Sequence, residues 1–464
     1  MIGTQVEHPQ YGRGQIVALY RNGSEWMVRF ESGLRFRRPR QEFNGQRPEE
    51  MPVPAKPLSY TPPAPMPHTR FEARQLIEAL RMGVAPAQHV LELTVGLEKE
   101  RASIIQALNQ AHQNGGAVRA IVGEYGFGKS HVVELTAQEA LARNFLVATT
   151  SLDLLELPPH RAFNIYSDLM RQLRYPDTDE VGLAPLLEKA NEIGRIREQL
   201  RDLSPAELDP LVVALDALNN TSLSRPRAAW QQWLMGGRRV KIMNKAMPRG
   251  IKFPSIYKIG HNARQIAYLL TGISALARLA NYSGLCVLLD EAESYSLLRP
   301  VQRPKATLFF SAMIYAALRE QQSHISADIL PQHRWREYPA AYDQGQSLLF
   351  LFTVTHSDNR LPLDEWLEAE QVLELASHHE PQEISGFLKK VEDYHAQAYD
   401  YEPGERQGQV RRAAAEHMAL GTKSGRLSIR GVVRLSVELF DLLYLYPHYD
   451  VVTLLDELRS QMRQ

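Results

Sequence analysis

The residues able to do chemistry in this chain are concentrated in two short stretches. The first is Gly123-Glu124-Tyr125-Gly126-Phe127-Gly128-Lys129-Ser130, followed by His131 and preceded by the apolar run Ala117-Val118-Arg119-Ala120-Ile121-Val122. Glycines at this spacing let successive backbone N–H groups approach phosphate oxygens that a Cβ would fend off. The helical pattern that starts near Lys129 adds the positive end of a helix dipole. A lysine here reaches β- and γ-phosphates, and the Ser130 hydroxyl is a ligand suited to Mg2+. Strand, then G-x4-G-K-S, then helix: this order predicts that Gly123 to His131 hold a nucleoside triphosphate, ATP, with Mg2+.

The second stretch is Leu285-Cys286-Val287-Leu288-Leu289-Asp290-Glu291-Ala292-Glu293. An apolar strand ending in Asp-Glu complements a phosphate-binding loop. Asp290 faces the Mg2+ through its water shell, and Glu291 polarises the attacking water. Together the two stretches predict an ATPase. Glu293 reads as a rim or helix-start residue. A third apolar run, Ser347-Leu348-Leu349-Phe350-Leu351-Phe352-Thr353-Val354-Thr355, ends in hydroxyls.

The elements that must position these residues follow from periodicity. Residues 1–45 show short alternating segments with turns at Arg21-Asn22-Gly23-Ser24 and Glu31-Ser32-Gly33, which predicts a small SH3-like or Tudor-like all-β barrel. Arg35, Arg37, Arg38 and Arg40 make its far edge basic. From 46 to 69 prolines crowd into a semi-rigid extended spacer. Residues 70–380 read as the nucleotide-binding core: two amphipathic helices (Ala73, Leu76, Ile77 and Leu80 in the first) precede the loop strand. Phe145-Leu146-Val147-Ala148-Thr149-Thr150 follows as a second strand, and residues from about 154 to 284 form a helical insertion. Gln371 to Leu375 reads as a last strand, and 381–464 as a helical C-terminal domain. The fold class is therefore α/β, with an all-β appendage at the N-terminus.

Composition excludes several classes. Of 464 residues, 44% are hydrophobic and 23% charged, and 53 Lys+Arg balance 53 Asp+Glu, so no global field draws the chain to nucleic acid or membrane. The one cysteine, Cys286, lies in an apolar run and reads as core, in a reducing compartment. No signal-like segment or bilayer-length apolar run is found, so a cytoplasmic protein is expected. No Cys cluster or His-x-x-His spacing points to a structural metal.

Across roughly 71–445 the chain resembles the ATP-binding proteins of bacteriophage-exclusion (BREX) defence loci, a BrxD-like branch of AAA+ relatives. The resemblance is carried by Ile77-Glu78-Ala79-Leu80-Arg81-x-Gly83-Val84, by the Gly123–Ser130 loop, by Tyr282-Ser283-Gly284 leading into the acidic strand, and by Leu427-Ser428-Ile429-Arg430. It implies an AAA+-like P-loop three-layer sandwich with a helical lid. It further implies a sensor residue at the end of the third strand, Thr355 with Thr353 and Asn359 in reserve. A lid arginine facing the γ-phosphate is implied too, Arg430 with Arg434 in reserve. Many relatives carry a proline after the threonine, where this chain has His356. Arg319 is a candidate for an arginine finger between subunits. The partners implied are a homo-oligomer, double-stranded DNA and other defence proteins such as a helicase.

The pattern Val6-x-His8-Pro9-x-Tyr11-Gly12-x-Gly14-x-Ile16-Val17 resembles the small barrel at the C-terminus of UvrD/PcrA-type helicases, which implies a protein-docking role for it. The expected function is an ATP-hydrolysing switch in antiviral defence. The alternatives are a nucleotide-gated scaffold with negligible turnover and a helicase loader or target selector of the origin-recognition kind.

Overall fold

A computed structural model describes residues 2–43, 68–84, 86–206, 209–220, 222–237, 241–245, 263–319, 324–332, 339–342, 344–356, 361–376 and 378–447. The chain divides into two compact units, 1–66 and 67–464.

In the first unit, strands β1 (Gln5–His8), β2 (Gly12–Tyr20), β3 (Glu25–Phe30) and β4 (Arg35–Pro39) form an antiparallel sheet in the order β1-β2-β3-β4. Alternation sends Ile16, Trp26, Val28 and Phe30 inward, where they meet Phe43. The predicted barrel is thus an open meander among the described residues. A bulge between Ile16 and Ala18 bends β2. The side opposite the meander is closed by a side-chain contact, His8 Nε2 to Glu42 Oε2 at 3.3 Å, and not by a β1–β4 ladder. The basic edge is partly neutralised. Arg37 binds Glu25 at 2.5 Å and lies over Tyr20, Arg38 donates to Tyr11 Oη at 3.0 Å, and Arg40 lies over Trp26. Arg35 stands opposite Arg29 across the ladder, and both are exposed. The proline-rich segment lies almost wholly outside the described residues.

The second unit opens with α1 (His68–Arg81) and α2 (Glu98–Asn114), then β5 (Gly116–Val122), α3 (Lys129–Ala142) and β6 (Phe145–Ser151). The insertion follows as α4 (Ala162–Arg171), α5 (Ala184–Glu192), α6 (Ile196–Leu203), α7 (Pro210–Asn219), α8 (Ser224–Leu234) and α9 (Ala263–Leu279). Then come β7 (Gly284–Asp290), α10 (Arg303–Leu318), β8 (Leu348–Val354), α11 (Leu363–Trp366) and β9 (Val372–Glu374). The chain closes with α12 (Pro381–Tyr399), α13 (Glu405–Lys423) and α14 (Ile429–Leu445).

The five strands are parallel in the order β6-β7-β8-β5-β9. Strands β5, β7 and β8 are buried throughout, as continuous apolar runs require when both faces are covered. The period of two divides them. Val118, Ala120, Leu285, Val287, Phe350 and Phe352 face the core shared with α4–α10, while Ala117, Ile121, Cys286, Leu288 and Leu349 face α2 and α3. This is the expected three-layer sandwich, with the insertion packed onto one face of the sheet. Cys286 is core, and burial pushes its thiol pKa up.

One assignment differs from the sequence reading, which placed α1 with the core. Ala73, Leu76, Ile77 and Leu80 of α1 share an apolar cluster with Ile384, Phe387, Val391, Val432, Leu439 and Phe440 of α12 and α14, so α1 belongs to the C-terminal helical layer. The stripe faces the lid because polar contacts fix it there. Arg81 pairs with Asp441, which also accepts from His395 Nε2 at 3.1 Å, and Arg74 donates to the Ala398 carbonyl at 3.0 Å.

Leu80 is fully buried in this cluster. Leu80→Ala is expected to cost about 2–5 kcal/mol, the usual range for a core leucine deletion. Chemical denaturation with lid and core followed separately would show it, with the lid transition moving first. A midpoint unchanged from wild type would contradict the placement of α1.

Candidate functional site

The loop between β5 and α3 owes its path to two glycines. Gly126 and Gly128 adopt φ of +83° and +90°, and Gly128 forms the N-cap of α3. The turn folds Lys129 back beneath the loop, where it is 8% exposed. Its Nζ donates to the Gly123 carbonyl at 3.1 Å, to the Glu124 carbonyl at 3.4 Å and to Thr355 Oγ1 at 2.8 Å. Glu293 Oε1 lies 3.7 Å away. Three donors have three acceptors, as an ammonium so far out of water requires.

Strand β8 lies between β5 and β7, so its C-terminal end brings loop lysine and acidic pair together. Both of its threonines are used. Thr353 Oγ1 donates to Asp290 Oδ1 at 2.5 Å and accepts from the Glu291 amide at 3.1 Å. Thr355, one step past the strand, accepts from Lys129 and donates to Glu293 Oε1 at 2.6 Å. Thr353 therefore fixes the acidic strand end while Thr355 faces the lysine. Asn359 lies outside the described residues.

Asp290 is buried, with Oδ1 engaged by Thr353 and by the Glu291 amide at 3.0 Å. Glu291 has a left-handed backbone, φ 57°, which turns the chain sharply out of β7 and leaves its side chain exposed. Burial of part of the carboxyl, reinforced by Asp290 and Glu293, raises its pKa above the ordinary range against the opposing effects of Lys129 and Ser151. A carboxyl so shifted is a better proton acceptor. Ser130 is exposed on the first turn of α3. A hydroxyl and a carboxylate oxygen form an all-oxygen donor pair that suits Mg2+.

Glu293 reads from sequence as a rim or helix-start residue, and it does lie in the first turn of the 3-10 helix Ala292–Leu297. That turn returns over the end of β8 and sets its carboxylate on Lys129 and Thr355, a contact the sequence reading did not assign. Sequence alone offered only its spacing from Asp290.

The lid meets the loop directly. Ser428 caps α14 by accepting from the Gly431 amide at 3.2 Å. A Cβ on Gly126 would lie 3.0 Å from Ser428 Cβ, and one on Gly128 would lie 3.5 Å from Ile429 Cγ2. Arg430 donates to Tyr125 Oη at 2.9 Å and lies over its ring, while Tyr125 itself is 77% exposed. Gly83, just past α1, has φ +76°, and a Cβ there would come within 2.7 Å of Arg430 Cγ and 3.3 Å of Arg434 Cγ. Helix α1 therefore seats both arginine stems, but it is Arg430 that reaches the loop. Arg319 ends α10 and donates to the Tyr342 carbonyl.

His131 joins the loop helix to the segment before α2. Thr94 gives its proton to the Val90 carbonyl at 2.6 Å, so at 2.9 Å it accepts from His131 Nε2. Burial pushes the His131 pKa down to about 4, which keeps the ring neutral.

Residues 69–202 match the family model of the BREX system ATP-binding protein BrxC/D. The matched segment takes in α1, the loop and β6, and ends before Asp290, the threonines and Arg430. Among solved structures the chain is similar to the Walker-type ATPase PABY2304 of Pyrococcus abyssi, at 13% identity and a TM-score of 0.33 over 79% of this chain and 71% of that one. A likeness that loose carries no conclusion, and the fold rests on strand order and the loop. Comparison with curated proteins gave no match. No helix among the described residues is long and apolar enough to cross a membrane.

Two substitutions separate the roles of loop and lid. Lys129→Ala removes the ammonium under the loop and should reduce ATP affinity at least a hundredfold, about 3 kcal/mol for a charge-assisted phosphate contact. Titration calorimetry reads it, and wild-type affinity would remove the loop from the site. Arg430→Ala should leave ADP binding within about twofold, since its side chain touches the loop only at the exposed Tyr125 ring and its contact with the Lys129 turn, the amide to the Gly126 carbonyl at 3.4 Å, is backbone and survives the substitution. ADP binding lost along with the arginine would show that the lid builds the loop.

Proposed function

We propose that this chain, whose residues 69–202 carry the segment of the BREX system ATP-binding protein BrxC/D family, is an ATP-hydrolysing switch in an anti-phage defence system. The observation that carries the reading is the junction at β8. One strand end supplies Thr355 to the loop lysine and Thr353 to the Asp290–Glu291 pair, so the phosphate-binding and water-activating groups share one scaffold.

In this reading the β- and γ-phosphates lie over Gly123–Ser130, with backbone N–H groups and Lys129 facing their oxygens. Ser130 and Asp290 would hold Mg2+, which would supply charge neutralisation for the phosphates. Glu291, on its exposed turn, orients a water in line with the γ-phosphorus and takes its proton as the new P–O bond forms and the bond to ADP breaks. Thr355 donates to a γ-phosphate oxygen. The adenine lies toward the segment bearing Val90 and Thr94, which the neutral His131 ties to α3.

Arg430 is the element through which the lid feels the nucleotide. It sits on an exposed ring of the loop itself, and its helix is joined to α1 and α12 through Asp441, Arg81 and His395. The effector of the switch is DNA or a DNA-bound protein, engaged by a homo-oligomer. The N-terminal sheet acts as an adaptor through the exposed face bearing Arg29 and Arg35. The direct contact of Ser428 and Arg430 with the loop also favours a second reading, a nucleotide-gated scaffold in which lid closure is the output and turnover is negligible.

Glu291→Gln decides between them. The amide keeps the size of the side chain but cannot take the proton, so ATP binding should persist while phosphate release falls by about 10²–10⁴-fold. Equal phosphate release by wild type and variant would remove Glu291 from catalysis. Absence of turnover in wild type, with DNA present, would favour the scaffold.

A further inference from the structure

Glu293 is a carboxylate that ordinary structural logic does not explain. The buried carboxylate Asp209, by contrast, is saturated. Its Oδ1 accepts from the Leu211 and Val212 amides at 2.7 and 3.2 Å, and its Oδ2 accepts from Ser204 Oγ at 2.8 Å and from the hydroxyls of Tyr268 and Tyr342. Glu293 has one oxygen on Thr355 and near Lys129, while its Oε2 is buried with no hydrogen-bond partner among the described residues. The half-buried carboxylate therefore keeps its place over the lysine through one hydrogen bond and one ion pair, with its second oxygen left unused.

The hydrogen-bond directions say what it does there. Thr355 has a single proton, and it goes to Glu293. Toward Lys129 the same hydroxyl is only an acceptor. While Glu293 stays, Thr355 cannot donate to a phosphate oxygen, and Lys129 spends its protons on Thr355 and two loop carbonyls. A carboxylate and a γ-phosphate cannot share one ammonium in so dry a place without strong repulsion.

We propose that Glu293 is an anionic latch on the triphosphate site, held by Lys129 and Thr355 and displaced by the γ-phosphate of a nucleoside triphosphate. This rests on the loop being the ATP site. The latch makes the site discriminate: the β-phosphate of a diphosphate meets Lys129 from the loop side, puts nothing at Thr355 and leaves Glu293 in place, whereas the γ-phosphate of a triphosphate takes the Thr355 position and must expel it. Departure of the carboxylate frees the Thr355 proton for the phosphate, so expulsion and γ-phosphate recognition are one event. The residue is a positioning residue, acting on the reaction through Thr355 and Lys129.

The test is titration calorimetry on the full chain with Mg2+, comparing ADP with a non-hydrolysable ATP analogue. Glu293→Gln keeps the shape and removes the charge, and Glu293→Ala removes both. In each the analogue should bind about tenfold tighter than to wild type, the effect of about 1.4 kcal/mol, while ADP affinity moves by less than about twofold. Thermal melting of the same samples shows that each is folded, and the alanine variant carries the test should the glutamine variant not be. An equal change for both nucleotides, no change, or weaker binding of the analogue would overturn the latch. Lys129→Ala in parallel separates the failures: wild-type affinity there would sink the ATP site itself, whereas lost affinity there with no Glu293 effect would sink only the latch.

Discussion

An ammonium that is nearly out of water must be surrounded by acceptors, and in this protein that requirement on Lys129 ties the site together. Its acceptors are two carbonyls of its own loop and the hydroxyl of Thr355, with the Glu293 carboxylate beyond. Only a sheet in which β8 lies between β5 and β7 can deliver that set. Were β5 paired directly with β7, the acidic pair would meet the loop with no hydroxyl between them. Strand order is thus a chemical constraint as much as a topological one. The buried alternation on both faces of the sheet keeps β8 from slipping, because a one-residue shift would send Phe350 and Phe352 to the wrong layer.

The lid depends on the same loop from the other side. Glycines at 126 and 128 are needed for the turn under which Lys129 folds, and their missing side chains also make room for Ser428 and Ile429. A loop shaped for phosphate is therefore also shaped for the N-terminus of α14. Helix α1, far upstream in sequence, holds that helix in position through Leu80, the Arg81–Asp441 pair and the close approach of Gly83 to Arg430. Any movement of Arg430 toward a phosphate must pass through this packing. That gives a mechanical path from the nucleotide to the helical layer.

Much of this was legible in the residues. The loop, the Asp-Glu strand end and the hydroxyl-ended third strand each have one physical use, and the end of β8 joins two hydrogen-bonded pairs, Lys129 with Thr355 and Asp290 with Thr353. Strands buried on both faces read as continuous apolar runs, so β5, β7 and β8 were visible. What periodicity could not supply was partnership. The stripe of Ala73, Leu76, Ile77 and Leu80 says that α1 buries one face, but not that α12 and α14 lie against it across some three hundred residues of chain. Glu293 was placed at a helix start, but its contact with Lys129 was missed for a related reason. A carboxylate after an acidic strand end is polar wherever it points, and only the tight turn of 292–297 directs it onto the lysine. The N-terminal unit showed its strands clearly, whereas its closure by His8 and Glu42 in place of a ladder depends on one side-chain contact.

The central claim is that Lys129 and Thr355 form the seat of a γ-phosphate. The most direct measurement is a crystal structure of the full chain with Mg2+ and a non-hydrolysable ATP analogue. The account predicts the triphosphate along Gly123–Ser130, with Lys129 Nζ and Thr355 Oγ1 both on γ-phosphate oxygens and Glu293 turned away from them. A nucleotide bound elsewhere, or one bound at the loop with Lys129 still held by Thr355 and Glu293, would contradict it.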